Sequence, residues 1–516
     1  MADYFLYHNL EEGRGNKVCL YFNDETWTYD QTALMSNRVG NALRSCGVEI
    51  EDRVLIVVPD SPEFVFTWFG AARIGAVITM VNPLLPVEDY KYYLEYTRAR
   101  VAVIDQSCAS TFIEATRDAR HLRAVVIRGL SPDDSEEFAK ANRKVRWLSF
   151  DRVLSEASDN CDRADTHRDD IAIWLFTSGS TGHPKGAVHL QHDLPFNTEV
   201  FAKRTVGVCE NDLTVSVPKL FFGYATGTNL LFPFAVGGAT ALFAERSTPE
   251  KLFQVIERYR PTILTTVPTM ISGMLNIADA GDLSSLRFCY SAGEALPVEL
   301  YERWKRRFEV EIYDGIGSAE MFHIYITNRP GDVKPGSLGR IVEGYQARIL
   351  NGSGNEVPTG EMGTLQIIGD SAALCYWNAH EKSKEVFAGD RCTTGDQFHV
   401  DEQGYFWYHG RTDDMLKVGG IYVAPVEIEN CLLQHEAVAE SAVVGHDAGD
   451  GLVKPKAYIV LRENWVASEE LGAEIKEFVK SRLALYKYPR WIEFIVSLPK
   501  NDRGKIDRKS LKDLRT

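Results

Sequence analysis

No Cys-x-x-Cys pair occurs among the nine cysteines of this 516-residue chain, which leaves neither the spacing of a zinc site nor a disulfide framework and fits a reducing compartment. Excess positive charge is also lacking. With 57 Lys and Arg against 72 Asp and Glu the net charge is -15, so a nucleic-acid or anionic-membrane partner is not expected and any polyanion site must be a local positive pocket. The opening residues, MADYFLYHNLEEG, have no basic region or apolar core of a secretion signal. The closing KDLRT is not a peroxisomal signal of the SKL type, and the cytoplasm is the expected address. One stretch, 220–244, carries no formal charge and is long enough to span a bilayer, but Gly223, Gly227, Asn229, Pro233, Gly237 and Gly238 interrupt it. The pattern predicts a buried helix over 226–236 and a strand over 239–243, not a membrane span.

The most informative stretch that is present is 171–185, IAIWLFTSGSTGHPK. An uncharged run of strand formers breaks into a loop of hydroxyl and glycine residues that ends on a lysine. Gly179 and Gly182 can turn successive N–H groups toward one centre, while Thr177, Ser178, Ser180 and Thr181 add hydroxyl donors and Lys185 adds charge. This is a phosphate-binding loop, but not the common P-loop, because Pro184 precedes the lysine and Gly186 follows it.

At 516 residues more than one domain is expected. Short apolar runs at 54–58, 101–104, 124–127, 171–176, 262–267 and 286–290 alternate with helical patterns at 63–72 and around Tyr90, Tyr93 and Leu94. That rhythm predicts parallel sheets covered by helices. Over 352–400 short strands with glycine turns predict a small β-rich subdomain, bounded by a polar turn near 401–404. A new rhythm starts after 410–417: a helix at Pro425, strands at 441–444 and 457–461, and a helix after Ser468 with Leu471, Ile475, Phe478 and Val479 on one face. The expected fold class is α/β. A large N-terminal domain (1–411) of parallel-rich sheets would include the β-rich part at about 340–411, and a small mobile α+β domain would follow at 412–516.

The segment TSGSTGHPKG resembles the phosphate-binding signature of the adenylate-forming superfamily, which includes acyl-CoA and aryl-CoA synthetases. Further motifs follow in that family's order: SAGEALP from Ser291, DGIGSAE from Asp314, TTGD from Thr393, GRTDDMLKVGG from Gly410 and PKNDRGKIDR from Pro499. Together they cover most of the chain and are most similar to the benzoate-CoA ligase and 2-aminobenzoate-CoA ligase group. The resemblance implies ATP, Mg²⁺ and coenzyme A as cosubstrates and cofactor. It also implies a route through an acyl-adenylate in which positioning and electrostatics do most of the work.

The resemblance also implies roles. Lys185 would neutralise phosphates beside the loop of Thr177 to Gly182. Glu320 would hold the metal, a hard cation suited to a carboxylate, and Lys505 would reach the substrate carboxylate and an α-phosphate oxygen together. A lone glutamate or loop lysine would be read as solvated; the motifs around these two carry the assignment. Gly293, Glu294 and Ala295, with Asp314, Gly315 and Ile316, would line the adenine, and Gly317 would be a further ATP-binding residue. Asp396 would accept the ribose hydroxyls, with Arg411 beside it, and Asp413 would be the hinge of the small domain. Ile316 replaces the family's usual aromatic, and Ala319 replaces its threonine, removing one hydroxyl from the α-phosphate. Gly419 and Gly420 would let the pantetheine arm approach. Tyr422 is either a flank of that path or a buried strand tyrosine.

For the acyl pocket, PKLFFGYATG contains no acidic residue to meet an α-ammonium, which disfavours amino-acid adenylation. Phe221, Phe222 and Tyr224 can enclose a flat ring, with Ala225 beside them in the pocket. Gly223, where benzoate ligases tend to have alanine, would leave room for a ring substituent. His323 would read that substituent or stand as a core histidine. The reading is an aryl-CoA ligase for benzoate or a small substituted benzoate, with 2-aminobenzoate preferred. The alternatives are a ligase for another small acid and a module loading an aryl acid onto a carrier protein. Among partners, a small aromatic acid is expected and neither nucleic acid nor membrane; a carrier protein and a homodimer stay open.

Overall fold

The computed structural model describes residues 1–130, 138, 142–177, 183–278, 281–418, 421–447, 453–500 and 506–514. Two large sheets dominate it. The first has eight strands. Ile171–Thr177, Val77–Met80, Arg53–Val57, Val101–Asp105, Ala124–Arg128 and Arg146–Ser149 run parallel in that spatial order, and Lys185–Leu190 and Cys375–Tyr376 complete one edge antiparallel. The second has nine strands, with a parallel centre from Glu311–Gly317 through Phe288–Ser291, Ile263–Thr266, Leu213–Ser216 and Ala239–Leu242 to Val18–Phe22. Strands such as Val77–Met80 and Val101–Asp105 are buried along their whole length, as parallel strands covered by helices on both faces must be.

Helix Pro62–Arg73 starts on proline at its first turn, where the missing N–H has no helical partner to lose. It buries Phe64, Val65, Phe66, Trp68 and Phe69 all round its axis, because it lies within the main core rather than on it. The uncharged stretch behaves similarly. It runs as short helical pieces Gly223–Thr226, Gly227–Leu231 and Phe232–Phe234, then strand Ala239–Leu242, and is buried through most of its length. Among the described residues no helix is long and apolar enough to cross a membrane.

The β-rich part is an antiparallel sheet of Gln346–Leu350, Gly363–Ile368, Arg391–Val400 and Phe387–Ala388, with Phe406–Arg411 on Arg391–Val400. Gly363–Ile368 alternates buried and half-buried positions, the period of a sheet with one face on the core. It starts at 346, a little before the glycine-rich texture of the sequence.

A separate core gathers Leu416, Val423, Ile428, Val443, Ile459 and Ile475 and uses no residue before 416, whereas the main core uses none after Tyr408. This is the small C-terminal domain. Its strands are Val438–Asp447, Val453–Leu461 and Trp491–Phe494, and helix Glu469–Lys480 is capped by the Ser468 side chain accepting the Leu471 N–H at 3.1 Å. Leu471, Ile475 and Val479 are buried and Phe478 packs half-buried beside them.

Candidate active site

The antiparallel pair Ile171–Thr177 and Lys185–Leu190 places Thr177 directly opposite Lys185. The loop residues Ser178, Gly179, Ser180, Thr181 and Gly182 lie outside the described residues. The exit of the loop is braced from helix Val87–Thr97. The Tyr92 hydroxyl donates to the Pro184 carbonyl at 2.6 Å, its ring stacks on His183 at 4.7 Å, and the Gly186 N–H donates to the Tyr96 hydroxyl at 3.1 Å.

Glu320 stands in a short 3₁₀ turn, Ala319–Met321, after strand Glu311–Gly317. Tyr376 donates its hydroxyl to Glu320 Oε1 at 2.6 Å, and Lys185 Nζ lies 5.7 Å from the centre of the same ring. Burial, then the Glu320 charge and hydrogen bond, push the Tyr376 phenol far above its ordinary range, so it stays a donor. Lys185 and Glu320 therefore face one tyrosine from two elements far apart in sequence. Gly317 is required for this geometry: a Cβ there would lie 2.6 Å from the His323 carbonyl.

Asp396 and Arg411 sit opposite each other on paired strands, with Arg411 Nη1 donating to Asp396 Oδ1 at 3.3 Å. Burial opposes the Arg411 cation, but Asp396, Tyr408 and Glu320 hold it above its usual range. Asp314 is buried, and burial pushes its carboxyl up to about 8 against the pull of Ser291 and the Leu296 and Gly315 amides. Gly315 and Ile316 pair with Thr327 and Ile326, and Ile316 packs half-buried against the main core. Gly293, at φ +91°, with Glu294 and Ala295 forms the loop after strand Phe288–Ser291. Asp413 is exposed in the 3₁₀ turn Thr412–Asp414 between the two cores.

His323 is buried among aromatic rings: Phe232 stands edge-on at 4.7 Å, and Tyr224 and Phe201 are tilted at 5.6 Å each. Nε2 meets the Tyr224 carbonyl at 3.0 Å, and a carbonyl only accepts, so Nε2 carries the proton and Nδ1 the lone pair. Nδ1 has no protein partner among the described residues. Burial pushes the His323 pKa down to about 4, only partly offset by the Tyr224 carbonyl; the ring is neutral at pH 7. Ala225 is fully buried, and Phe222 packs its ring 4.5 Å from that of Phe221. A methyl on Gly223 would meet Leu175 Cδ1 at 3.0 Å, whereas one on Gly227 would lie 2.4 Å from the His323 ring. The glycine that makes room for the histidine is thus Gly227.

Lys505, Gly419 and Gly420 lie outside the described residues, as does the side chain of Tyr422. Among the described residues no three His, Cys, Asp or Glu side chains gather into a metal cage. Glu320, half-buried with one carboxylate oxygen engaged by Tyr376, suits an ion that draws its other oxygens from phosphates and water, as Mg²⁺ does. Sequence reasoning missed Tyr376, Tyr92, Gly227 and the buried pair His189–Asp193. His189 follows Lys185 by four residues on the same strand, the one local signal that could have drawn attention to it.

The chain belongs to the AMP-binding enzyme family: that family matches residues 7–377, and its C-terminal domain matches 427–505. Over 99% of its length it is 44% identical to a benzoate–CoA ligase of Thauera aromatica, covering 95% of that protein. It is 37% identical to a 4-hydroxybenzoate–CoA/benzoate–CoA ligase of Rhodopseudomonas palustris, covering 93% of it. The structure of an anthranilate CoA ligase, AuaEII, in complex with anthranoyl-AMP superposes with a TM-score of 0.93 at 40% identity, covering 99% of this chain and 96% of that one.

Proposed function

We propose that the chain is an AMP-forming acid–thiol ligase that converts benzoate or a small substituted benzoate into its CoA thioester. In the first step a carboxylate oxygen attacks the α-phosphorus of ATP, the bond to the bridging oxygen breaks, and pyrophosphate leaves. In the second the CoA sulfur attacks the acyl carbon of the aryl-adenylate, its proton is lost to solvent, and AMP departs. Bound Mg²⁺ supplies charge against the phosphate oxygens. Lys185 does the same beside the glycine loop, and Lys505, on the small domain, meets the charge that gathers on the α-phosphate. Asp396 accepts from the ribose. Gly419 and Gly420 leave the thiol path open after the small domain (412–516) turns about Asp413.

The observation that supports the aryl reading is the ring-walled enclosure of His323 in a chain whose relatives are named for benzoate. Its Nδ1 lone pair matches a donor on the ring, which favours 2-aminobenzoate among the candidates. A panel of benzoate, 2-aminobenzoate, hydroxybenzoates, cinnamate and medium-chain acids tests this, scored for pyrophosphate and for thioester with CoA. Thioester from 2-aminobenzoate at the highest kcat/KM is expected. A preference for an aliphatic acid removes the aryl reading, and pyrophosphate without thioester favours loading onto a carrier protein.

A further inference from the structure

The backbone just after Glu320 is strained. Phe322 has φ +68° and ψ −56°, and the His323 N–H donates to the Met321 carbonyl at 2.8 Å across it. This is the γ-turn form that L residues rarely adopt. It sets the Glu320 carboxylate and the His323 imidazole at the two ends of one turn. Such a conformation persists only where its surroundings over-determine it, and here the carbonyls are gripped in succession. Ala319 O accepts from His189 Nε2 at 2.6 Å, Glu320 O from the Ala373 N–H at 2.8 Å, and Met321 O from Ser371 Oγ at 2.9 Å.

The His189 contact differs from the other two in its source. His189 lies on strand Lys185–Leu190, the strand that carries Lys185, and it is fully buried, as is Asp193. Its Nδ1 meets Asp193 Oδ2 at 2.7 Å, an oxygen that already accepts the Leu190 N–H at 3.1 Å, so Nδ1 is the donor there. The Phe322 ring stands at 71° to the imidazole, 6.1 Å away, on the strained residue itself. A buried polar pair adds little stability over an apolar pair of the same volume, which leaves geometry as the use of this one.

We propose that His189, oriented by Asp193, is a positioning residue that ties the Lys185 strand to the Glu320 turn and so holds the phosphate-binding lysine and the metal-binding carboxylate at a set spacing. The proposal rests on the reading of Glu320 as the metal-binding residue. It makes no use of a change in the charge of the histidine.

The test compares full-length His189→Leu, His189→Gln and, as a control for buried hydrogen-bond loss elsewhere, Tyr29→Phe, whose hydroxyl donates to the Gly238 carbonyl at 2.7 Å. The first readout needs neither metal nor nucleotide: hydrogen exchange of the 316–324 amides in the free enzyme. His189→Leu should exchange there about tenfold faster, Tyr29→Phe at the wild-type rate, and His189→Gln in between, because its amide can still donate to Ala319 O. In kinetics, His189→Leu should raise the KM for MgATP and the Mg²⁺ requirement about tenfold, the scale of one lost bond to a buried group, with the KM for the aryl acid changed much less. Should His189→Leu fail to fold, His189→Asn carries the same test, since it can keep the Asp193 contact but is too short for Ala319. Unchanged exchange, or Mg²⁺ effects equal in His189→Leu and Tyr29→Phe, would overturn the proposal. Glu320→Gln, run alongside, separates the two readings: if it leaves Mg²⁺ dependence intact, the Glu320 assignment fails, while faster exchange in His189→Leu still supports the tie.

Discussion

The Tyr376 hydroxyl donates to Glu320 Oε1 at 2.6 Å, joining an edge strand of the first sheet to the turn that follows a central strand of the second. That bond orients one carboxylate oxygen, and on the proposed metal-binding role of Glu320 it is part of the ion's setting. Tyr376→Phe is therefore expected to lower kcat/KM for MgATP by about 10- to 100-fold, the scale of a hydrogen bond to a charged group. The KM for the aryl acid should move less. Initial rates over a Mg²⁺ titration measure this; equal loss for both substrates would assign Tyr376 to general packing.

Gly227 and Gly223 make opposing predictions about the proposed ring pocket. Gly227→Ala would drive a methyl into His323, 2.4 Å away, and should cost stability of about 1–3 kcal/mol along with most aryl activity. Gly223→Ala meets only the flexible end of Leu175. It should be tolerated and lower the 2-aminobenzoate to benzoate ratio of kcat/KM by about tenfold only if Leu175 is pressed toward the ring. Wild-type ratios in Gly227→Ala would remove His323 from the pocket.

Asp314 predicts a pH effect on stability. Its folded pKa of about 8 lies above the ordinary 3.8 of an aspartate, so the folded state binds the extra proton between these values. Its contribution is fully present below about pH 4 and is lost as pH rises through about 8. His323 has the opposite sign: with a folded pKa of about 4 against 6.5, it weakens the fold as pH falls from 6.5 to 4. Asp314→Asn should gain stability relative to wild type between pH 5 and pH 9, read by urea unfolding; parallel curves would refute the buried-acid reading.

Lys505→Ala should cut adenylate formation by about 100-fold or more while sparing thioester formation from preformed aryl-adenylate. Single-turnover assays of each step decide it, and equal losses would sink the assignment.

Asp413→Pro, which fixes φ and removes a donor in the turn between the two cores, should abolish one half-reaction and leave the other. Wild-type rates in both would place the rotation axis elsewhere.

Much of this was legible from local pattern. The parallel strands could be read because strands buried on both faces are short apolar runs, and Pro425 and Ser468 mark helix starts by their own chemistry. The uncharged 220–244 stretch was readable as buried because glycine and proline break it. Less legible was the direction in which a missing side chain points: Gly223 faces Leu175, and only Gly227 faces His323, a difference of one helical turn that composition does not encode.

By itself the sequence determined the order of the motifs and the alternation of apolar strands with helices that builds the parallel sheets, because each depends on residues adjacent in the chain. Tertiary structure alone decided which residues hold the motifs in place. Tyr376 reaches Glu320 across 56 positions and His189 reaches Ala319 across 130. The His323 tautomer is set by the Tyr224 carbonyl, 99 positions away. These are contacts between elements far apart in the chain, and no local propensity carries them: they exist only once buried polar groups, taken from water, must each find a partner in the packed interior.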